Sequence, residues 1–413
     1  MTELFKAITI PEARRIISAL LRDWPRETEM TPLLSASGRC LAEEVRAGEN
    51  VPGFNRSTMD GFAVRARDTF GASEGLPAYL EITGEVLMGE EPRGSVENGQ
   101  TWRIATGGML PSGADAVVMV EHTEILGEKT IGVVKPVAPG ENVIRRGEDI
   151  TAGDSLLFPG HCLKAQDLGV LAAAGVTAVK VFSPLRVGII STGNEVISPA
   201  EKPAPGKVRD INSYTLYGAV REAGGKPFLY GIVSDDFQHI QEILSMALKE
   251  NDLVLLSGGS SVGARDVAAE VINSLGSPGV LFHGLSIRPG KPTIGAAVAG
   301  KPVFGLPGHP ASALVVFHLL VSPLLQRRKY PEKEGEFWEF PLRAQLTRNL
   351  RSAPGREDFI RVKLFLQQGN LCAEPVLGKS GLITTLVKAD GLARIPAGKE
   401  GVEAGEMVEV KLF

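Results

Sequence analysis

The sequence predicts a multi-domain protein that combines an α/β domain with domains made of β-strands. From Pro184 onward, short apolar segments alternate with helical segments, which is typical of a parallel sheet with crossover helices. Two other stretches, 53–139 and 337–413, hold short β-rich segments between glycine, proline and acidic turns. A chain of 413 residues is too long for one ordinary core, so we expect two to four domains.

The composition favours a folded, soluble protein and argues against a polyanion ligand. Hydrophobic residues make up 43% of the chain and charged residues 22%, as in ordinary globular domains. The net charge is −4, and the one dense basic run, Arg327-Arg328-Lys329, closes a helical pattern where cations favour the helix dipole. We therefore expect no nucleic acid partner.

Targeting features and cysteine usage predict a cytoplasmic protein. The N-terminus has no signal-peptide pattern, and no apolar run is long enough for a membrane span. The three cysteines, Cys40, Cys162 and Cys372, lie far apart without metal-ligand spacing. Such cysteines are typical of a reducing compartment.

The N-terminal segment predicts an amphipathic helix. Thr9 and Glu12 are spaced as a capping box ahead of it. Apolar residues then recur at helical spacing and form one stripe: Ala13, Ile16, Ile17, Leu20, Leu21 and Trp24.

After the N-terminal helix, the pattern of predicted secondary structure differs from one segment of the chain to the next. The β-rich segment contains YLEIT, VVMVE and IGVVKPV, and the turn RRGEDI and the helical patch AQDLGVLAAAG follow it. The α/β segment has the strands VGII, FLYGIV and LVLL, a hairpin (PTIGAAV, then PVFGL) and a helix from Ala311 to Arg328. Between the strands lie the helical segments TLYGAVREAGG, HIQEILSMALKE and VAAEVINSLG.

Three glycine-marked loops follow strands of the α/β segment: STGNE, SGGSSVGARD and GLPGHPAS. In an open parallel sheet such loops lie at the carboxyl edge, where ligands bind. Glycines allow backbone N–H groups to approach phosphate oxygens, and serine hydroxyls add donors. None of the loops is a Walker A or GxGxxG sequence, so a nucleotide triphosphatase or nicotinamide enzyme is disfavoured.

Acidic and basic residues accompany these loops. Glu195, Asp235 and Asp266 each follow a strand or loop and together suggest a hard cation such as Mg²⁺. For Asp235 and Asp236 a helix cap, and for Asp266 a place in a first helical turn, are equally good interpretations. Arg288 and Lys291 flank a Pro-Gly turn, and His309 is open to roles as ligand, base or helix-entry residue.

Eight motifs occur in one order along nearly the whole chain: STMDGFAV, TGGMLPSGADAVVMVE, RRGEDI, STGNEV, DINS, SGGSSVGARD, RPGKP and GLPGHPASAL. This ordered set resembles the molybdopterin molybdenumtransferase family, which includes the bacterial MoeA proteins and the E domain of gephyrin. The number of motifs and their shared order make the resemblance specific.

The resemblance implies an elongated homodimer of four-domain subunits. A discontinuous helical domain would comprise 1–52 and 143–182, with a β domain, 53–142, inserted in it. A molybdopterin-binding α/β domain, 183–328, and a C-terminal β barrel, 329–413, would complete the chain. In this family the active cleft is shared between subunits.

The resemblance also implies an activity. The family inserts molybdate into the dithiolene of adenylylated molybdopterin and releases AMP with Mg²⁺. Partners would be the adenylyltransferase and acceptor molybdoenzymes, contacted transiently, with no nucleic acid and no membrane. Three alternatives stay open: a tungstate-preferring insertase, a non-catalytic molybdopterin-binding or scaffold protein, and another nucleotide-cleaving enzyme.

Site residues follow from matching the motifs position by position. The family's active-site positions correspond to Asp60, Thr106, Asp149, Glu195, Asp235 and Asp266, and the last three would hold Mg²⁺. The oxyanion pocket corresponds to Arg288, Ser312, Arg361 and Ser380. Molybdopterin contacts correspond to Thr192, Gly193, Asn212, Ser257, Gly258, Gly259, Ser260, Ser261, Gly263, Lys291, Pro307, Gly308 and Pro310.

The chain departs from the commoner family pattern at four places. Where the family commonly has GLPGNP, this chain has GLPGHP, so His309 replaces an asparagine. Where the family commonly has STGDE, this chain has STGNE, so Asn194 replaces an aspartate. Arg288 stands where lysine is usual, and Gly284, preceded by His283, replaces a basic residue. These changes cluster around the expected oxyanion and pterin pockets, and the sequence leaves open whether they tune the metal.

Overall fold

The computed structural model describes residues 7–20, 27–258, 262–329 and 340–413, with backbone only at residue 20, 262–266 and 327–329. The chain forms two compact units. We call Met30–Val181 the β unit, and Met1–Glu29 together with Phe182–Phe413 the mixed unit. The four-domain boundaries given above stay a prediction.

The N-terminal helix α1 (Ile10–Leu20) begins behind the expected capping box. The Thr9 N–H donates to Glu12 Oε2 over 2.9 Å, and the Glu12 N–H donates to Thr9 Oγ1 over 3.3 Å. Ala13 and Ile17 are buried in the core of the mixed unit, so this part of the apolar stripe is confirmed. Leu21 and Trp24 lie outside the described residues.

The β unit is built around a six-stranded sheet. Its elements are β1 (Thr28–Pro32), β2 (Val45–Arg46), β3 (Arg56–Ser57), β4 (Gly61–Val64), β5 (Ala78–Glu85), β6 (Gln100–Ile104), β7 (Ala116–Met119), β8 (Thr123–Leu126), β9 (Thr130–Val133), β10 (Val143–Ile144), β11 (Ser155–Leu157), α2 (Ala165–Ala173) and β12 (Ala178–Phe182). The sheet order is β7-β4-β6-β5-β9-β8. Phe62 and Val64 pack into one core and Ala63 into another, so both faces of β4 are buried.

Two cysteines of the β unit are paired. Cys40 and Cys162 lie opposite each other at an antiparallel bridge and form a disulfide, and Cys372 is free and buried. The pair is separated by 122 positions, a contact that sequence spacing does not reveal. The spacing of the cysteines was interpreted only as typical of a reducing compartment, and the pairing of Cys40 with Cys162 was not predicted.

The α/β part of the mixed unit contains the predicted alternation. Its elements are β13 (Arg186–Thr192), β14 (Val196–Ile197), β15 (Val208–Arg209), α3 (Asn212–Glu222), β16 (Lys226–Val233), α4 (Phe237–Glu250), β17 (Leu253–Ser257), α5 (Val262–Leu275), β18 (Pro278–His283), β19 (Ile287–Arg288), β20 (Ile294–Val298), β21 (Lys301–Leu306), α6 (Pro310–Val316) and α7 (Ser322–Lys329). A π-helical turn, Phe317–Val321, joins α6 to α7. The sheet order is β16-β13-β17-β21-β20-β18.

The first four strands are parallel, and β20 runs antiparallel to both of its neighbours, β21 and β18. The pairing of β20 with β21 confirms the predicted hairpin. Because β13, β17 and β21 are parallel neighbours, their carboxyl ends meet at one edge.

The C-terminal part is a closed β barrel, as predicted. Its elements are β22 (Leu342–Leu346), β23 (Leu350–Arg351), β24 (Glu357–Gln367), β25 (Asn370–Pro375), α8 (Thr384–Val387), β26 (Gly391–Ile395), β27 (Gly401–Val402) and β28 (Met407–Leu412). The barrel order is β24-β25-β22-β28-β26, and β26 pairs back onto β24. Strand β19 of the α/β part joins the outer side of β24, which ties the two parts of the unit together.

Within the described ranges, no helix is both long and apolar enough to cross a membrane.

Candidate functional site

The three predicted loops meet at one edge of the sheet and line a cavity of about 290 Å³. In the strand register Ser191 pairs with Ser257, and Ser257 pairs with Leu306, so the loops that follow are adjacent. We call this space the loop cavity. Its lining includes these predicted residues: Thr192, Glu195, Asn212, Ser257, Gly258, Gly308 and Pro310.

Asn212 links two of the loops from the start of α3. Its Nδ2 donates to Ser257 Oγ over 2.6 Å and to the Gly308 carbonyl over 3.0 Å. The amide oxygen Oδ1 is buried and has no hydrogen-bond partner among the described residues. A buried acceptor without a partner is costly, so a ligand donor in this cavity would stabilise it.

Gly258 is required by the close approach of two strand ends. Its φ is +149°, and a Cβ at this position would overlap the backbone carbonyl of Thr192. Only glycine fits both constraints. Gly259, Ser260 and Ser261 lie outside the described residues, as do the side chain of Asp266 and the surroundings of Gly263.

Asp235 and Asp236 take different roles. Asp236 caps α4, because its Oδ1 accepts from the N–H groups of Gln238 and His239 over 3.0 and 3.1 Å. Burial and the nearby charge of Glu195 raise the pKa of Asp235. The Oδ1 of Asp235 is buried without a partner among the described residues.

The pairing of Asp235 with Glu195 fits a hard divalent cation. Burial and the nearby charge of Glu195 disfavour the negative charge of Asp235, and a cation such as Mg²⁺ would relieve both effects. The third predicted ligand is Asp266, whose side chain is not described. Among the described side chains, no group of three or more metal-ligating residues lies together. The fit to Mg²⁺ therefore rests on the carboxylate pair.

A larger cavity of about 860 Å³ lies between the α/β loops and the barrel. We call it the basic cavity, because four cations, Arg288, Arg351, Arg361 and Lys379, line it against one carboxylate, Asp358. Sequence reasoning did not place Arg351 or Asp358 here. The lining includes these predicted residues: Arg288, Pro307, Gly308, Ser312, Arg361 and Ser380.

Arg361 is the most buried cation of the basic cavity. Its side chain belongs to a residue only 6% exposed, and burial lowers its pKa. Nη2 donates to the Gly378 carbonyl over 2.7 Å, whereas the buried Nε has no partner among the described residues. Asp358 is paired with Arg356 Nε at 3.0 Å. An anion bound in the cavity would therefore stabilise the Arg361 charge.

Gly308 and His309 line both cavities and form part of the wall between them. His309 immediately precedes α6, and its Nδ1 lies 3.1 Å from Ser380 Oγ. The Ala311 N–H donates to the Ser380 carbonyl over 3.1 Å. Two hydrogen bonds thus hold the barrel loop with Ser380 against the α/β loop with His309.

Some predicted residues lie elsewhere. Lys291 is exposed and is not among the residues that line either cavity in the described part of the chain. Gly193 is buried and is not among the residues that line either cavity in the described part of the chain, and its N–H donates to the Val233 carbonyl over 3.1 Å. Gly284 has a φ of +117°, and a Cβ there would lie 3.4 Å from the Cα of Ala7, so this departure serves backbone packing.

In the β unit the structure brings Asp60 and Thr106 together. Gly61 pairs with Ile104 across β4 and β6, which places Asp60 beside the loop that follows β6. The N–H of Thr106 and its hydroxyl both donate to Asp60 Oδ1, and these bonds lower the pKa of Asp60. Asp149 is exposed, and its N–H donates to the Val51 carbonyl over 3.2 Å.

Three family models match successive parts of the chain. Residues 8–175 match the MoeA N-terminal region (domain I and II), and residues 188–327 match the model described as "Probable molybdopterin binding domain". Residues 343–413 match the MoeA C-terminal region (domain IV).

Relatives and solved structures match over nearly the full length. The molybdopterin molybdenumtransferase of Bacillus subtilis is 34% identical, covering 94% of this chain and 90% of the relative. That of Haemophilus influenzae is 33% identical, covering 98% of each chain. The crystal structure of the molybdopterin biosynthesis MoeA protein from Pyrococcus horikoshii is 38% identical, with a TM-score of 0.85 over 98% of this chain and 99% of that chain.

Proposed function

The chain belongs to the MoeA family of molybdenum cofactor biosynthesis, and on that premise we propose that it is a molybdenum insertase. In this proposal it transfers molybdate onto the dithiolene of adenylylated molybdopterin and releases AMP with Mg²⁺. One observation carries the proposal: the loop cavity, whose lining residue Glu195 acts electrostatically on Asp235, and the cavity rich in cations share the wall formed by Gly308 and His309.

The loop cavity suits the phosphate-bearing end of the substrate. The hydroxyls of Thr192 and Ser257 and the amide of Asn212 supply polar contacts next to the glycine-marked backbone. Glu195 and Asp235, with Asp266 as the predicted third ligand, would hold Mg²⁺. When bound, the cation would neutralise the pyrophosphate and polarise the P–O bond that breaks as AMP leaves.

The basic cavity suits the oxyanion substrate. Molybdate is a tetrahedral dianion, and the buried Nε of Arg361, which lacks a partner among the described residues, would be a donor to it. Arg288 and Ser380 line the same cavity and supply further donors. The two dithiolene sulfurs would displace oxo groups of the molybdate, which leave with protons as water.

The β unit carries Asp60, an acid that we expect to be ionised. Because the hydrogen bonds from Thr106 lower the pKa of Asp60, this carboxylate stays charged at lower pH than an ordinary aspartate. Asp149 is the third predicted site residue of this unit. We propose, as the family resemblance implies, that the protein works as a cytoplasmic homodimer. It would meet the adenylyltransferase and acceptor molybdoenzymes only transiently.

Release of AMP from adenylylated molybdopterin tests the proposal. The purified protein is assayed with Mg²⁺ or with a chelator, in the presence of molybdate, tungstate or no oxyanion at matched concentrations. We expect Mg²⁺-dependent release that one oxyanion stimulates, loss of release in Asp235→Asn, and normal release in the exposed control Lys363→Met.

Each alternative gives a different result in this assay. Stimulation by tungstate alone would identify a tungstate-preferring insertase. A folded protein that binds molybdopterin but releases no AMP with either oxyanion would be a binding or scaffold protein.

A further inference from the structure

His309 has one ring nitrogen beside each cavity. Nδ1 lies 3.1 Å from the hydroxyl of Ser380, which lines the basic cavity. The opposite edge of the ring lies beside Gly381, which lines the loop cavity: a Cβ built on Gly381 would be 3.6 Å from Cδ2 and 4.0 Å from Nε2. The backbone bond from Ala311 to Ser380 fixes the position of the serine.

The direction of the hydrogen bond between His309 and Ser380 depends on where the imidazole carries its protons. With a proton on Nε2 alone, Nδ1 is an acceptor, and the Ser380 hydroxyl has to donate to it. A hydroxyl has one proton, so it then has none to offer an oxyanion. When both nitrogens are protonated, Nδ1–H donates to Ser380 Oγ, and the hydroxyl proton becomes available to a ligand in the basic cavity.

We infer that His309, neutral as the Nε2–H tautomer, is a proton-controlled positioning residue that determines whether the Ser380 hydroxyl can donate to a tetrahedral oxyanion. The identity of the anion rests on the proposed function. The protonated imidazole releases the Ser380 hydroxyl as a donor and adds positive charge to the wall of the basic cavity. Asparagine, the residue of the commoner GLPGNP pattern, has a side chain that does not titrate, so this control is a property of the histidine.

Charged groups on both sides of the wall bear on the protonation of His309. On the basic side, Arg288, Arg351, Arg361 and Lys379 oppose a further positive charge, and Asp358 favours it. On the loop side, Glu195 and Asp210 favour it, and Arg209 opposes it. A dianion in the basic cavity offsets the four cations, so proton binding by His309 and oxyanion binding support each other. Histidine is the side chain that ordinarily changes charge between about pH 5 and 8.

The test is the affinity of the full chain for molybdate, measured by calorimetry from about pH 6 to about pH 8. It compares the wild type with His309→Asn, Ser380→Ala and the exposed control Lys363→Met. Sulfate serves as a second tetrahedral probe. For the wild type and the control, we expect affinity to fall on the order of tenfold as pH rises, the effect of one charge-assisted hydrogen bond.

The two site variants are expected to behave differently from the wild type. His309→Asn should bind with an affinity that changes little over this range. Ser380→Ala should lose most of the gain at low pH while keeping the imidazole. Both variants conserve size closely enough to fold, and the readout is the pH profile, which a general loss of stability would not flatten.

Any of three outcomes overturns the inference. If His309→Asn keeps the wild-type pH profile, or the wild type has none, His309 does not control Ser380; oxyanion-dependent AMP release would then still uphold the proposed function. If the wild type binds no oxyanion at any pH, the inference also fails, and oxyanion-dependent AMP release decides the proposed function separately.

Discussion

Thr106 donates two hydrogen bonds to the same carboxylate oxygen of Asp60, from its N–H over 2.7 Å and from its hydroxyl over 2.9 Å. Both bonds favour the charged carboxylate, and the pKa of Asp60 is lowered for this reason. The exposed acid is thus held in one orientation and kept ionised by its neighbour.

Thr106→Val removes the hydroxyl donor and keeps the backbone donor. We expect the pKa of Asp60 to rise toward its ordinary value, and the acidic limb of the pH–activity profile to move up with it. Carboxyl NMR titration of Asp60 measures the first effect directly. Thr123→Val, which also loses a hydroxyl bond in this unit, is the control. An unchanged Asp60 titration would show that the backbone donor suffices.

Asp235→Asn should stabilise the protein in the absence of Mg²⁺. The folded-state pKa of Asp235 is raised, mainly by burial and then by Glu195, so ionisation above that pKa destabilises the fold. The cost is absent below the unfolded pKa and complete above the folded one. We expect the melting temperature of the variant to exceed that of the wild type by on the order of 2 °C at neutral pH, and the gain to shrink as pH falls.

Added Mg²⁺ should reverse this difference. The cation stabilises a protein that binds it, so the wild type should gain melting temperature and Asp235→Asn should gain less. The control is Asp236→Asn, since Asp236 caps α4. An equal response of the wild type and Asp235→Asn would remove Asp235 from the cation site.

Arg361→Lys should weaken oxyanion binding even though the positive charge stays. Lysine is a point charge, and it cannot replace both the Nη2 bond to the Gly378 carbonyl and the buried Nε donor. We expect roughly tenfold to a hundredfold lower affinity for molybdate. Lys363→Met, on the same strand but exposed, should bind normally. Wild-type affinity in Arg361→Lys would mean that charge alone is recognised.

Reduction of the Cys40–Cys162 disulfide should destabilise the β unit. The bond closes a loop across 122 positions, and cross-links of this length contribute about 2 to 5 kcal/mol by constraining the unfolded chain. Cys40→Ser should lower the denaturation midpoint to that of the reduced wild type and abolish the response to reductant. Cys372→Ser, a change at the free cysteine, should keep that response.

Periodic features of the chain were predictable because they depend on neighbours in sequence. The capping box at Thr9, the strands β13, β17 and β21, and their glycine-marked loops all follow from local spacing. The convergence of those loops also followed, since parallel strands present their carboxyl ends at one edge. It was therefore predictable from the sequence that Thr192 and Ser257 would line one cavity.

Features that depend on distant contacts were not predictable. The disulfide joins residues 122 positions apart, and the choice between Asp235 and Asp236 as helix cap depends on the turn after β16. The sequence analysis did not single out Asp358 or Arg351, and only the folded chain shows that they line the basic cavity. For Asp358 the charged run GREDFIR was the available signal.

The two-residue strand β19 has a consequence for how the chain matures. It precedes its partner, the barrel strand β24, by about 70 positions in the chain. During synthesis Arg288 is therefore made before the strand with which it pairs. The basic cavity therefore cannot exist on a nascent chain that stops short of the barrel. A chain that ends before the barrel lacks Arg361 and Ser380, so this cavity is complete only when the C-terminal strands have folded.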